Sequence, residues 1–217
     1  MEVTQYNKKE LVIVGGGGLG RELESWFSQS YLINEYDLLG YLDDDKNSLN
    51  NLENNYKIID RINQESLFNA KNILIAIASS KVKKYIYNTY KNKENFNILS
   101  FVHSSAIIGK HIKFGLGIVI SPNVIISCNS QIKNCVFINC GSQIGHDVQI
   151  GNYTSIMASV NIGGGAIIGD NVFIGTGAVI LPGVKICANV KIGAGAVALR
   201  NIKKEGTYFG NPAKKIF

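Results

Sequence analysis

The chain has 217 residues, 46% hydrophobic and 18% charged, enough apolar side chain to bury a core, so an intrinsically disordered protein is excluded. Residues 1–10 lack an apolar leader core, and the strongest apolar run, residues 73–78, is too short to span a bilayer; secretion and membrane insertion are not expected. The net charge of +6 is uneven: the first 100 residues hold 12 basic and 13 acidic side chains, the remainder 10 basic and 3 acidic.

The first apolar run, residues 11–14, leads into Gly15-Gly16-Gly17-Gly18-Leu19-Gly20 and then residues 21–28, where Leu23, Trp26 and Phe27 recur at helical spacing. Strand, glycine turn and helix satisfy GxGxxG in the context that gives the motif meaning, with helix N-terminal N–H groups available to an anionic or polar ligand. The same turn also serves simple packing of helix on strand. A second strand over residues 38–42 ends at Asp43-Asp44-Asp45, and a third over 73–77 precedes Ser79 or Ser80 as a helix N-cap. Residues 81–93 alternate bases with aromatics, but Val82, Ile86, Thr89 and Tyr90 share one helical face, predicting an amphipathic surface helix and no nucleic-acid partner. About 100 residues leave room for one mononucleotide half, not the two of a dinucleotide fold.

From residue 102 the chain becomes periodic. Isoleucine recurs every six residues from Ile120 to Ile192, and Val102, Ile108 and Phe114 extend the series. A period of six fits short strands joined by tight corners, a hexapeptide β-helix in which three hexads close an 18-residue coil and residues 18 apart stack. Residues 102–198 make about five coils, and the unbroken register leaves no extruded loop. The expected fold is an α/β Rossmann-like half domain over 1–100, a parallel β-helix over 101–198 and a basic tail over 199–217.

Three histidines are present. His146 occupies the third position of its hexad, filled elsewhere by Leu116, Pro122, Ala158 and Pro182, so its side chain points outward at a corner. Asp147 follows it, and Gly164 lies one coil away. His111 and His146 are 35 residues apart, not a multiple of 18, which disfavours the in-register zinc site of a γ-class carbonic anhydrase. No metal is expected. Cys128, Cys135, Cys140 and Cys187 form no CxxC pair and suit a reducing cytoplasm. In the last 18 residues Arg200, Lys203, Lys204, Lys214 and Lys215 cluster, either as solvated surface or as a site for a phosphorylated ligand.

The sequence resembles the hexapeptide-repeat acyltransferases, and VIVGGGGLGRE, GYLDDD, ILIAIASSKVKKYIY, FVHSSAIIG and GNPAKKI together resemble the sugar-nucleotide branch typified by sialic acid O-acetyltransferase and UDP-N-acetylbacillosamine N-acetyltransferase. The resemblance spans essentially the whole chain. It implies a left-handed coil, a homotrimer with active sites between subunits, acetyl-CoA as cosubstrate, and a nucleotide-linked sugar as partner, in surface polysaccharide, O-antigen or glycan biosynthesis. It assigns the nucleotide to Gly15, Gly16, Gly17, Gly18, Asp43 and Asp44, and makes His146 the general base with Asp147 as its support. Gly164 then faces the thioester oxygen, the corners at Gly175, Gly177, Gly193 and Gly195 take the pantetheine arm, and Lys214 and Lys215 meet the phosphates of the cofactor. N-acetylation of an amino sugar, such as a 4-amino-4,6-dideoxy sugar, is expected, with O-acetylation the alternative. The sequence departs from the family at Ala78, often glycine, at Ser104, often proline, and at Ser155, often a second histidine.

Overall fold

The computed structural model describes residues 8–62, 71–94 and 96–216; of the segment read for a leader, residues 1–7 lie outside the described residues. The first domain runs β1 (Lys9–Val14), α1 (Gly18–Trp26), β2 (Tyr36–Leu42), β3 (Ile58–Asp60), β4 (Asn72–Ile75), α2 (Ser80–Tyr90) and β5 (Asn97–Leu99). Its strands form one parallel sheet in the order β3-β2-β1-β4-β5. Leu11, Val12, Ile13 and Val14 and the apolar residues of β4 are buried, as strands covered on both faces must be. The chain leaves β1 toward β2 and later returns on its other side as β4. The glycine turn after β1 and the loop after β4 therefore flank the switch point of the sheet, where open α/β sheets bind ligands.

Two local expectations shift. Ser79 is the N-cap of α2, yet its side chain makes no capping hydrogen bond. The buried face of α2 is Lys83, Ile86, Tyr87 and Tyr90, while Val82 is exposed. Apolar periodicity missed this rotation because the helix packs a lysine inward.

The second domain is a parallel β-helix. Gln131 pairs with Gln149 and Ile132 with Ile150, and the same 18-residue step recurs on every face. One face has six strands and one has five; the third, which begins at Phe101–Val102, has eight. The five-stranded face fixes five complete coils. The stacked isoleucines from Ile120 to Ile192 line the interior with Val136, Val148, Val160, Ala166 and Val172. Burial of each isoleucine contributes about 1.5–3 kcal/mol, and the column repeats it every six residues. The turns place Asn129, Asp147 and Asn171 at positive φ, a conformation that Asn and Asp tolerate best after glycine.

The domains join along the third face. Leu11, Leu23 and Phe27 pack against Phe101, Val119 and Phe137. These three and Ser155 are outward-facing strand residues 18 apart, and all four are buried. Of the segment read as a tail, residues 206–215 continue that same face: Gly206–Phe209 pairs with Val190–Ile192, and Lys214–Lys215 folds back on it antiparallel.

Candidate active site

His146 stands on the corner between the six-stranded and the five-stranded face, outward as its hexad position predicts. Asp147 takes the left-handed conformation, φ +59°, which turns its carboxylate back onto the ring. His146 Nδ1 lies 2.7 Å from Asp147 Oδ2, and the two side chains are 65% and 57% exposed. Donation from Nδ1–H leaves the Nε2 lone pair free, the arrangement a general base requires. The imidazole covers Gly164: a Cβ there would sit 2.6 Å from His146 Nε2. Of the neighbouring glycines, Gly163 N–H donates to the Ile180 carbonyl and Gly165 N–H to the His146 carbonyl. The Gly164 N–H has no acceptor among the described residues, so it is available to a developing oxyanion.

The other corner glycines lie elsewhere. Gly175, Gly177, Gly193 and Gly195 belong to the corner across the six-stranded face from His146, so one chain does not bring them together with it. All four amides donate within the solenoid, to Ile192, Ala158, Tyr208 and Thr176 carbonyls respectively. What the corner offers a ligand is bare backbone surface at Gly177 and Gly195, where a Cβ would meet nothing, whereas the Phe209 ring covers Gly193. Lys214 pairs with Phe209, which places the exposed Lys214 and Lys215 beside this corner.

In the first domain Gly15 adopts φ +109°, and a Cβ there would lie 2.8 Å from the Ala76 carbonyl oxygen, so the turn needs glycine for backbone shape and for contact with the loop after β4. Gly16 N–H donates to Asp43 Oδ2 (2.7 Å) and Asp45 N–H to Asp43 Oδ1 (2.9 Å). Asp44 Oδ1 accepts from Ile62 N–H. Both carboxylates therefore shape the loops around the turn. Gly17 and Gly18 face open space and no side chain caps α1, leaving its N-terminal dipole to an outside ligand.

A cleft of about 620 Å³ opens between the domains. Ala78, Ser79, Lys81 and Lys84 form one wall, and Asn171, Phe173 and Lys191 stand opposite. Sequence reasoning missed this cleft and the buried Lys83 at its edge. The signal was present in the outward column Phe101, Val119, Phe137, Ser155 and Phe173, whose apolar members mark the covered face where Gln131, Gln143 and Gln149 mark open ones.

His103 is buried at the domain junction, edge-on to Trp26, and accepts from Ser105 N–H; burial lowers its pKa. His111 is exposed on the first coil. Burial pushes the Cys140 thiol up, the wrong direction for a nucleophile. Among the described residues no three His, Cys, Asp or Glu side chains converge as a metal site, and no helix is long and apolar enough to cross a membrane.

Residues 10–90 match the PglD N-terminal domain family, and residues 165–198 match the bacterial transferase hexapeptide family of six repeats. The first match falls on the α/β domain and the second on the later coils of the β-helix. The fold of the chain is that of the acetyltransferase domain of PglB from Neisseria gonorrhoeae FA1090, solved with acetyl coenzyme A (TM-score 0.86, 23% identity, covering 97% of this chain and 100% of that one). A histidine variant of perosamine N-acetyltransferase from Caulobacter crescentus, solved with CoA and GDP-perosamine, superposes with TM-score 0.83 at 23% identity, over 94% of this chain and 95% of that one. WeeI from Acinetobacter baumannii AYE gives 0.70 at 22%, over 95% and 99%. Identities at this level establish shared fold for this chain. By sequence it matches none of the curated proteins with which it was compared.

Proposed function

We propose that the protein is an acetyl-CoA-dependent N-acetyltransferase acting on a nucleotide-linked amino sugar, with His146 as general base. The observation that carries this reading is the His146–Asp147 pair, its Nδ1 held by the carboxylate and its ring lying against Gly164, whose N–H has no acceptor among the described residues. In support, the glycine turn and open helix N-terminus of the first domain suit one nucleotide, and the similar C. crescentus enzyme was solved with CoA and GDP-perosamine.

The steps balance. The sugar amine attacks the thioester carbonyl carbon and an N–C bond forms, while His146 Nε2 removes the proton the nitrogen must lose. Asp147 steadies the imidazolium without taking the proton itself, and the Gly164 N–H is placed to donate to the oxyanion. The C–S bond breaks as the intermediate collapses, and the imidazolium returns its proton to the departing CoA sulfur. Transfer is direct, with no acetylated cysteine.

His146 and the open glycines at 177 and 195 occupy different corners of one chain, so this reading includes a homotrimer that brings one subunit's histidine to its neighbour's cofactor corner. Light scattering that finds an active monomer removes the inter-subunit site. The four free cysteines accord with a cytoplasmic location, and the product would serve polysaccharide or glycan assembly. The deciding experiment incubates acetyl-CoA with a panel of UDP-, GDP-, dTDP- and CMP-linked amino and hydroxy sugars and reads products by mass spectrometry. The expected result is N-acetylation of one nucleotide conjugate, with the free sugar much poorer because nucleotide contacts position the amine. Equal kcat/KM for free and conjugated sugar overturns this reading, and preference for a hydroxyl acceptor moves the protein to O-acetylation.

A further inference from the structure

Lys83 is 2% exposed, and a buried lysine is costly unless its hydrogen bonds are met. Its Nζ donates to the Thr154 carbonyl oxygen at 2.9 Å and to Ser155 Oγ at 2.6 Å. Ser155 Oγ in turn donates to the Ala78 carbonyl oxygen at 2.7 Å. One serine hydroxyl of the β-helix is thus clamped between α2 and the loop that precedes it. This gives a use to the serine that stands where the resembled family often has histidine.

The clamp sits where placement matters. Ser155 pairs with Phe173, and Phe173 with Lys191, so the covered column ends at the clamp and the cleft begins with the next coil. The loop it holds supplies Ala78 and Ser79 to the opposite wall. The same loop supports the glycine turn, since Ala76 N–H donates to the Val14 carbonyl and the Ala76 carbonyl lies against Gly15. We propose that Lys83 is a positioning residue that, through Ser155 and Ala78, fixes the glycine turn and the cleft walls against the β-helix, and so sets where a nucleotide-linked sugar enters the second domain. This rests on the function proposed above.

The clamp fits a neutral amine, which has two N–H groups for its two acceptors; an ammonium carries a third. Burial pulls Lys83 down to about 7. From the β-helix it faces the Cys135 thiol, pushed up to about 12 by burial; the Tyr153 phenol near that thiol is also raised, by burial first, then by Cys135, Tyr87 and Asp170. On its own helix the groups are Tyr87, likewise raised, and Lys84, whose Nζ lies 5.9 Å from the Tyr153 ring centre. None supplies a negative counter-charge beside Nζ near neutral pH. The unfolded chain keeps its lysine protonated to the ordinary 10.5, so between about 7 and 10.5 it binds more protons than the folded chain. Stability therefore rises with pH across that window, and the cost of the buried charge is full below it.

The test compares wild type with Lys83→Met and Ser155→Ala as full chains. For the nucleotide sugar selected by the panel above, KM should rise about tenfold or more in both variants, with kcat and the acetyl-CoA KM within about threefold of wild type. The wild-type sugar KM should also rise as pH falls below about 7, a dependence that Lys83→Met should lose. Hydrogen exchange should quicken around residues 76–84 in both variants. An unchanged sugar KM in a folded variant, or equal shifts for both substrates, overturns the positioning role. If Lys83→Met does not fold, Ser155→Ala carries the same comparison. A wild type that transfers acetyl to no sugar in the panel overturns the functional reading itself, a result distinct from an active wild type whose variants match it.

Discussion

Two corners of the same β-helix, built on the same backbone repeat, treat their main-chain N–H groups in opposite ways. On one, Leu116 N–H donates to Asn134 Oδ1, Asn134 N–H to Asn152 Oδ1 and Asn152 N–H to Asp170 Oδ1, a ladder of side chains that caps each coil with the next. On the other, the stacked residues are Cys128, His146, Gly164 and Pro182, and neither the His146 nor the Gly164 N–H has an acceptor among the described residues. The backbone fold does not distinguish them. The corner side chains decide which donors are closed, by an amide or carboxylate oxygen of the next coil, and which are left open.

The largest effect should come from His146→Ala: turnover falls by about 10²- to 10⁴-fold, while thermal unfolding stays nearly unchanged because the side chain is exposed. Near-normal initial rates would end the distinction between the corners. Gly164→Ala comes next. Its methyl would meet the imidazole at 2.6 Å, turning the ring aside, and kcat should drop about 10- to 100-fold with little change in melting temperature. A variant with wild-type kcat would show that the ring does not work from this position.

On the closed corner the result should reverse. Asn152→Ala strips the acceptor from Asn134 N–H and should cost about 1–2 kcal/mol of stability in denaturant titration, with kcat within twofold of wild type. Loss of turnover without loss of stability would mean that the ladder also serves catalysis. The smallest effect is expected from Cys140→Ser, whose initial rates should match wild type and whose kinetic pattern should remain that of a ternary complex. Trapping an acetylated enzyme in the absence of acceptor would instead point to a covalent route.

Much of this was legible in the chain. The six-residue isoleucine period determined the β-helix, its 18-residue coil and the outward corner of His146, because side-chain direction in a solenoid follows from position in the repeat. The apolar run, glycine turn and amphipathic segment likewise determined the strand, turn and helix of the first domain, since these signals are local. Tertiary structure decided which face that domain covers, that Asp43 braces the glycine turn from 27 positions away, and that residues 206–209 extend the third face. It also decided the buried side of α2. Lys83 reads as solvent-facing in sequence, and its partners Thr154 and Ser155 lie 71 and 72 residues onward. The sequence pattern reports a residue's own polarity, whereas burial of an amine depends on acceptors that only the docked domains bring within reach.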